Sequence, residues 1–190
     1  MTYVAVADPY CYAGSSVLKN IPRLRDQAAL DRFEAISFAQ RSEEILPFGS
    51  LSVSHFLAVH RHLFQDVYRW AGTPRTVRLH KDDSTFCYPE NIGSELSRLF
   101  AGLERGNLLR DLDADDFVSR LAHFLAELNA IHAFREGNGR AQLAFAQLIA
   151  SQAGHPLRLE ALDPQLMLSA MIESFRGNET PLVEALLALL

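Results

Sequence analysis

Apolar side chains recur at helical spacing in one segment after another of this chain, and only one stretch alternates as a strand does. Val53, Phe56, Leu57, His60, Leu63, Phe64 and Val67 fall at i, i+3, i+4 and i+7. They predict a buried helix face from a cap at Ser52 to about residue 70, where Gly72 and Pro74 end it. Leu30, Phe33 and Ile36 predict the inward face of a helix over 27–46, broken by Pro47 and Gly49. Ile92, Leu96, Leu99, Phe100 and Leu103 carry another to Gly106. Phe117, Leu121, Phe124, Leu125 and Leu128 carry a third to Ile131, with acids at its positive end. A further apolar helix runs over 140–152. Asp163-Pro164 and Thr180-Pro181 read as cap-then-proline starts for the last two. The exception is "TVRLHKDDSTFCYPE", where Val77 and Leu79 alternate with Arg78 and His80, and Phe86 and Tyr88 with Cys87, about a turn at "KDDS". That is a short β-hairpin. The expectation is a single, mainly α domain over 1–190, with an irregular arm over 1–26 and one hairpin over 75–88.

The 190 residues can bury a sizeable core, and 48% hydrophobic with 22% charged residues fits a globular protein. The net charge of −5 lacks the basic footprint of a general nucleic-acid binder, so no direct nucleic-acid partner is expected. No apolar run reaches the roughly 18 residues of a membrane span. The start, "MTYVAVADPYCYAG", lacks the basic lead and apolar core of a signal peptide. With two cysteines, Cys11 and Cys87, a disulfide framework is not expected. A reduced cytoplasmic setting follows as the default, with secretion as an effector left open.

The chemistry concentrates in "NAIHAFREGNGRAQLAF", residues 129–145, between two segments that read as buried helix. Gly137, Asn138 and Gly139 permit positive φ and close backbone approach, and their N–H groups lead into a helix N-terminus, an anion-binding arrangement. Arg140 adds a planar fork suited to phosphate oxygens. Glu136 beside a phosphate nest would repel the ligand unless a cation lies between them. Mg²⁺ is typically held by one or two carboxylates plus phosphate oxygens, so the set suggests a magnesium polyphosphate, most simply a nucleotide. His132 adds a group that takes a proton near neutral pH. Phe134 is expected to pack inward and pin the loop.

"HAFREGNGR", residues 132–140, resembles the signature of Fic-domain proteins, H-x-F-x-[D/E]-G-N-G-R-x-x-R. "DPYCYAGSSVLKN", "HRHLFQDVYRWAGTPRTV" and "LAELNAIHAFREGNGRAQ" resemble the same family in the same order. The resemblance implies a Fic fold: a helical bundle around a central helix–loop–helix, with the catalytic loop and helix start at 132–143 and the hairpin as a flap. It implies transfer of AMP from Mg²⁺-ATP to a Ser, Thr or Tyr hydroxyl of a target protein. His132 would be the general base and Glu136 the metal ligand. Phe134, Gly137, Asn138, Gly139 and Arg140 would make the nucleotide site. The target would dock on the flap by main-chain hydrogen bonds. DNA topoisomerase subunits and small GTPases are targets of similar proteins, and neither is favoured here.

One position departs from the signature. Its second arginine is Leu143 here, preceded by the uncharged Gln142. That removes one charge-assisted contact, about 1.5–3 kcal/mol. It keeps open a Fic-fold transferase using another donor (a different nucleotide, phosphate or phosphocholine) and a weakly catalytic binding module. The family's inhibitory pattern [S/T]-x-x-x-E-[G/N] is not found: Glu90-Asn91 has Phe86 four residues back, and Glu136-Gly137 lies inside the motif. The resemblance is then to members inhibited by a separate small antitoxin protein. His55, His60 and His62 read as core and surface histidines, and His123 and Glu127 as an i, i+4 pair.

Overall fold

In the computed structural model, residues 8–81 and 84–190 are described. The architecture is mainly helical. Among the described residues the elements are α1 (Gln27–Ser42), α2 (Val53–Phe64), β1 (His80–Lys81), β2 (Ser84–Thr85), α3 (Ile92–Arg105), α4 (Ala114–Ile131), α5 (Asn138–Ala153), α6 (Pro164–Phe175) and α7 (Thr180–Leu187). The chain forms two compact units. The first takes residues 1–92 and 133–141; the second takes 93–132 and 142–190.

In the first unit α1 packs on α2. Asp26 caps α1 by accepting from the Ala29 amide, and Ser52 caps α2 by accepting from that of His55. The buried face of α2 is Phe56, Val59, His60, Leu63 and Phe64, close to the periodic reading, but the helix stops six residues short of Trp70. On α1 the sequence places Leu30 inward correctly, Phe33 is half-buried, and Ile36 is misplaced. Ile36 is 60% exposed, and the face that turns in carries Leu30, Ser37 and the half-buried Glu34 and Phe38. An i, i+4, i+7, i+8 row therefore runs inward with a carboxylate in it, because that carboxylate has partners there.

The strands pair antiparallel, His80 opposite Thr85 and Lys81 opposite Ser84. They are two residues each, shorter than the alternation suggested, and the turn residues Asp82 and Asp83 lie outside the described residues, as does the start of the arm. Leu79 and Phe86 turn inward below the strands, whereas Tyr88 is exposed. Arg75, 2% exposed, fastens this base. Its guanidinium donates to the carbonyls of Val77 (2.6 Å) and Cys87 (2.7 Å), one on each leg, and its amide donates to the Ala133 carbonyl at 2.8 Å. Burial pushes its pKa down to about 10, and the guanidinium stays charged at neutral pH.

In the second unit α4 packs on α6 and α7, and α6 on α7. Asp113 caps α4, and Asp163 caps α6 ahead of Pro164. For α7 the expected cap shifts by one residue: Thr180 is the first helical residue, and Glu179 before it makes no side-chain cap. Glu179 instead pairs with His123 at 2.9 Å, while Glu127 pairs with Arg98 at 3.0 Å. The expected His123–Glu127 pair is thus replaced by two long-range ones. No helix among the described residues is long and apolar enough to cross a membrane.

Candidate active site

The motif loop follows from what its side chains must satisfy. Asn138 opens α5 and is almost wholly buried. Its Oδ1 accepts from the Phe134 amide (2.9 Å) and its Nδ2 donates to the Phe134 carbonyl (2.8 Å). One side chain thereby closes the loop from 134 to 138 and leaves only its backbone for a ligand. Phe134 is fully buried, stacked on His60 at 3.6 Å between centroids and tilted on Phe56 at 5.3 Å. Its ring holds the loop from inside and presents no surface to a ligand. His60 bridges two segments: its Nδ1 accepts from the Gly72 amide (2.9 Å), which leaves Nε2–H to donate to the Glu136 carbonyl (3.0 Å). Burial drives its pKa down to about 3, so it is a neutral strut and not an acid–base group.

Gly137 is where a glycine is needed. Its φ is +80°, and a Cβ there would sit 2.5 Å from the Phe64 ring. Its amide donates to its neighbour's carboxylate, Glu136 Oε1, at 2.9 Å, so this N–H does not face outward as the sequence suggests. The backbone N–H groups of Asn138, Gly139 and Arg140, the first turn of α5, donate to no acceptor among the described residues. A Cβ on Gly139 would meet nothing within 4 Å. Open amides at a helix start beside a glycine with free space form a cradle an anion fits.

Arg140 lies over the Phe64 ring at 4.6 Å and near that of Phe38 at 5.2 Å. Its Nη2 donates to Glu34 Oε1 of α1 at 2.6 Å and is 3.6 Å from Glu136 Oε1. The other Glu34 oxygen accepts from the Tyr68 hydroxyl. Tyr68 is held above the usual phenol range by burial and then by the Glu34 charge. Glu136 is raised above the usual carboxylate range, first by burial and then by Glu34, against the lowering effect of the Gly137 amide and Arg140. Its Oε2 accepts no hydrogen bond among the described residues. That oxygen fits a divalent cation, which would offset the burial cost. Among the described residues no three His, Cys, Asp or Glu gather around a common metal position, so such a cation would need phosphate oxygens to complete its shell.

His132 closes α4 as its C-cap in the second unit, with φ 48° and ψ 60° and its amide donating to the Leu128 carbonyl at 3.1 Å. It is 4% exposed. A left-handed non-glycine residue costs about 1–2 kcal/mol, the kind of strain that collects where function needs a particular orientation. Gln142, in the same unit, donates to the Leu128 carbonyl at 3.3 Å and is buried; Leu143 is half-buried. In the first unit the arm reaches the loop through Asp8, whose carboxylate pairs with Arg135 at 2.7 Å, both nearly buried. Tyr10 donates or accepts at Thr76 and sets its ring edge on Trp70.

Sequence reasoning missed Glu34, Tyr68, His60, Arg75 and Asp8 as parts of this site. The only early signal for Glu34 is its place four residues after Leu30 and four before Phe38, on the face that turns inward.

The Fic/DOC family model matches residues 50–150. A probable protein adenylyltransferase, y4lH, of Sinorhizobium fredii is 49% identical over 181 residues, covering 95% of this chain and 94% of that protein. The protein adenylyltransferase VbhT of Bartonella schoenbuchensis is 37% identical over 179 residues, covering 93% of this chain but 37% of VbhT. Among solved structures, the BepC effector of Bartonella tribocorum, with bound AMPPNP, superposes with a TM-score of 0.85 at 24% identity over 95% of each chain. With the signature loop, the fold and these similarities in agreement, the chain belongs to the Fic/DOC family.

Proposed function

We propose that this chain is a protein adenylyltransferase that moves AMP from Mg²⁺-ATP to a hydroxyl of a target protein. The observation that carries the reading is the first turn of α5: three amides without acceptors among the described residues, free space at Gly139, and Arg140 in that turn 3.6 Å from Glu136. The names of its relatives support the same activity. In this reading the amides of 138–140 and Arg140 hold the phosphates. Glu136 Oε2 would hold magnesium, whose charge favours departure of the diphosphate. His132 takes the proton of the target hydroxyl, whose oxygen bonds to the α-phosphorus as the bond to the bridging oxygen breaks and diphosphate leaves. The target segment lies along β1 or β2, paired through the backbone, and is not specified by side chains. A separate small antitoxin protein would supply the inhibition that no internal pattern provides, and the chain would then be the toxin of the pair. Soluble lysate incubated with the protein, Mg²⁺ and ATP should gain label from the α-phosphate and none from the γ-phosphate. Label from the γ-phosphate alone would make it a kinase.

Leu143 favours a second reading, a donor other than ATP. Leu143→Arg restores the signature and is expected to tighten AMPPNP binding about tenfold, the scale of one charge-assisted hydrogen bond. Unchanged calorimetric affinity would mean that no γ-phosphate comes to this position, and would favour the second reading.

A further inference from the structure

Arg140 stands between two carboxylates and is committed to the one that does no chemistry. Its Nη2 is 2.6 Å from Glu34 and 3.6 Å from Glu136, on the same guanidinium nitrogen. Glu34 is itself fixed, one oxygen taken by Arg140 and the other by the Tyr68 hydroxyl, and it is the more buried of the two carboxylates at 14% against 30% exposed. The guanidinium that faces both acids lies over the Phe64 ring at 4.6 Å.

We propose that Glu34 is a positioning residue that holds Arg140 away from Glu136 and so keeps the Glu136 carboxylate open to a metal ion. This rests on the assignment of Glu136 as a metal ligand. Without Glu34 the nearest anion to Arg140 is Glu136, and a shift of under an ångström closes a full ion pair there. A cation at Glu136 Oε2 would then share the carboxylate with a guanidinium held on Oε1, whose positive charge opposes it. With Glu34 present, Nη2 is spent at α1, and the remaining guanidinium donors stay available to phosphate oxygens.

The test compares AMPPNP binding by calorimetry with saturating Mg²⁺ and with EDTA; the ratio of the two affinities measures what the metal contributes. Glu136→Gln should lose that ratio, and if it keeps the wild-type ratio the metal assignment itself fails. Given that loss, Glu34→Ala is expected to cut the ratio about tenfold, and to leave it unchanged when introduced into an Arg140→Met background. A wild-type ratio in Glu34→Ala, or an equal loss in the Arg140→Met background, overturns the proposal. If the alanine variant does not fold, Glu34→Gln serves. It keeps hydrogen bonds to Tyr68 and Arg140 without the charge, and is expected to cut the ratio about threefold in the wild-type background alone.

Discussion

Replacing His132 with alanine is expected to lower AMP transfer by about 10²–10⁴-fold, the range for a positioned general base. A protein hydroxyl is a weak nucleophile until its proton leaves, and within the signature loop His132 is the residue whose ordinary pKa lies near neutrality. The phosphate contacts assigned above lie on residues 138–140 and the metal contact on Glu136, so AMPPNP affinity should change little. Alanine tolerates the left-handed backbone at 132 (φ 48°) poorly, so asparagine is the cleaner substitution: it accepts that conformation and cannot act as the base. Transfer of α-phosphate label and calorimetric affinity, measured on both variants, check this. Parallel loss of binding and transfer would show that His132 supports the nucleotide and not the proton.

The second large effect separates two glycines that look alike in sequence. Gly137→Ala must place a methyl 2.5 Å from Phe64, a fully buried ring, at a φ of +80°. The backbone cost is about 1–2 kcal/mol and the overpacking about 1–3 kcal/mol. Together they should lower Tm by about 5–15 °C in a chain of this size. Gly139→Ala meets nothing within 4 Å in the first turn of a helix, so Tm should hold or rise slightly. Its methyl instead fills the space assigned to a phosphate, and transfer should fall at least about tenfold. Thermal melting and label transfer on the two variants form a crossed pair. Full activity in Gly139→Ala would show that the space beside α5 is not where the phosphates lie.

What could be read in advance was what local sequence encodes. Helix starts at Ser52 and Asp163 follow from short side chains that satisfy the next amides. The signature loop was legible because its residue types are chemically unusual between two buried helices. What stayed hidden was set by distance along the chain. Glu34 meets Arg140 106 residues away, and His60 meets the Glu136 carbonyl 76 away. The periodic reading placed Ile36 inward by hydrophobicity, whereas the buried row keeps Leu30 but continues through Glu34, Ser37 and Phe38, with Glu34 paired to Arg140. Asn138 belongs to the same class: an asparagine between glycines reads as a turn residue, and only the fold shows both ends of its amide spent on Phe134.

The fastening made by Arg75 has a mechanical consequence for anything that docks at the hairpin. Both legs are riveted at Val77 and Cys87, and the same residue is tied to Ala133, the position that follows His132. The described residues beyond it, 78–81 and 84–86, rise from this fixed base. A load on the strands is carried through this base to Ala133, at the start of the signature loop. If a target segment pairs with these strands as proposed, its distance from the first turn of α5 is set at this base.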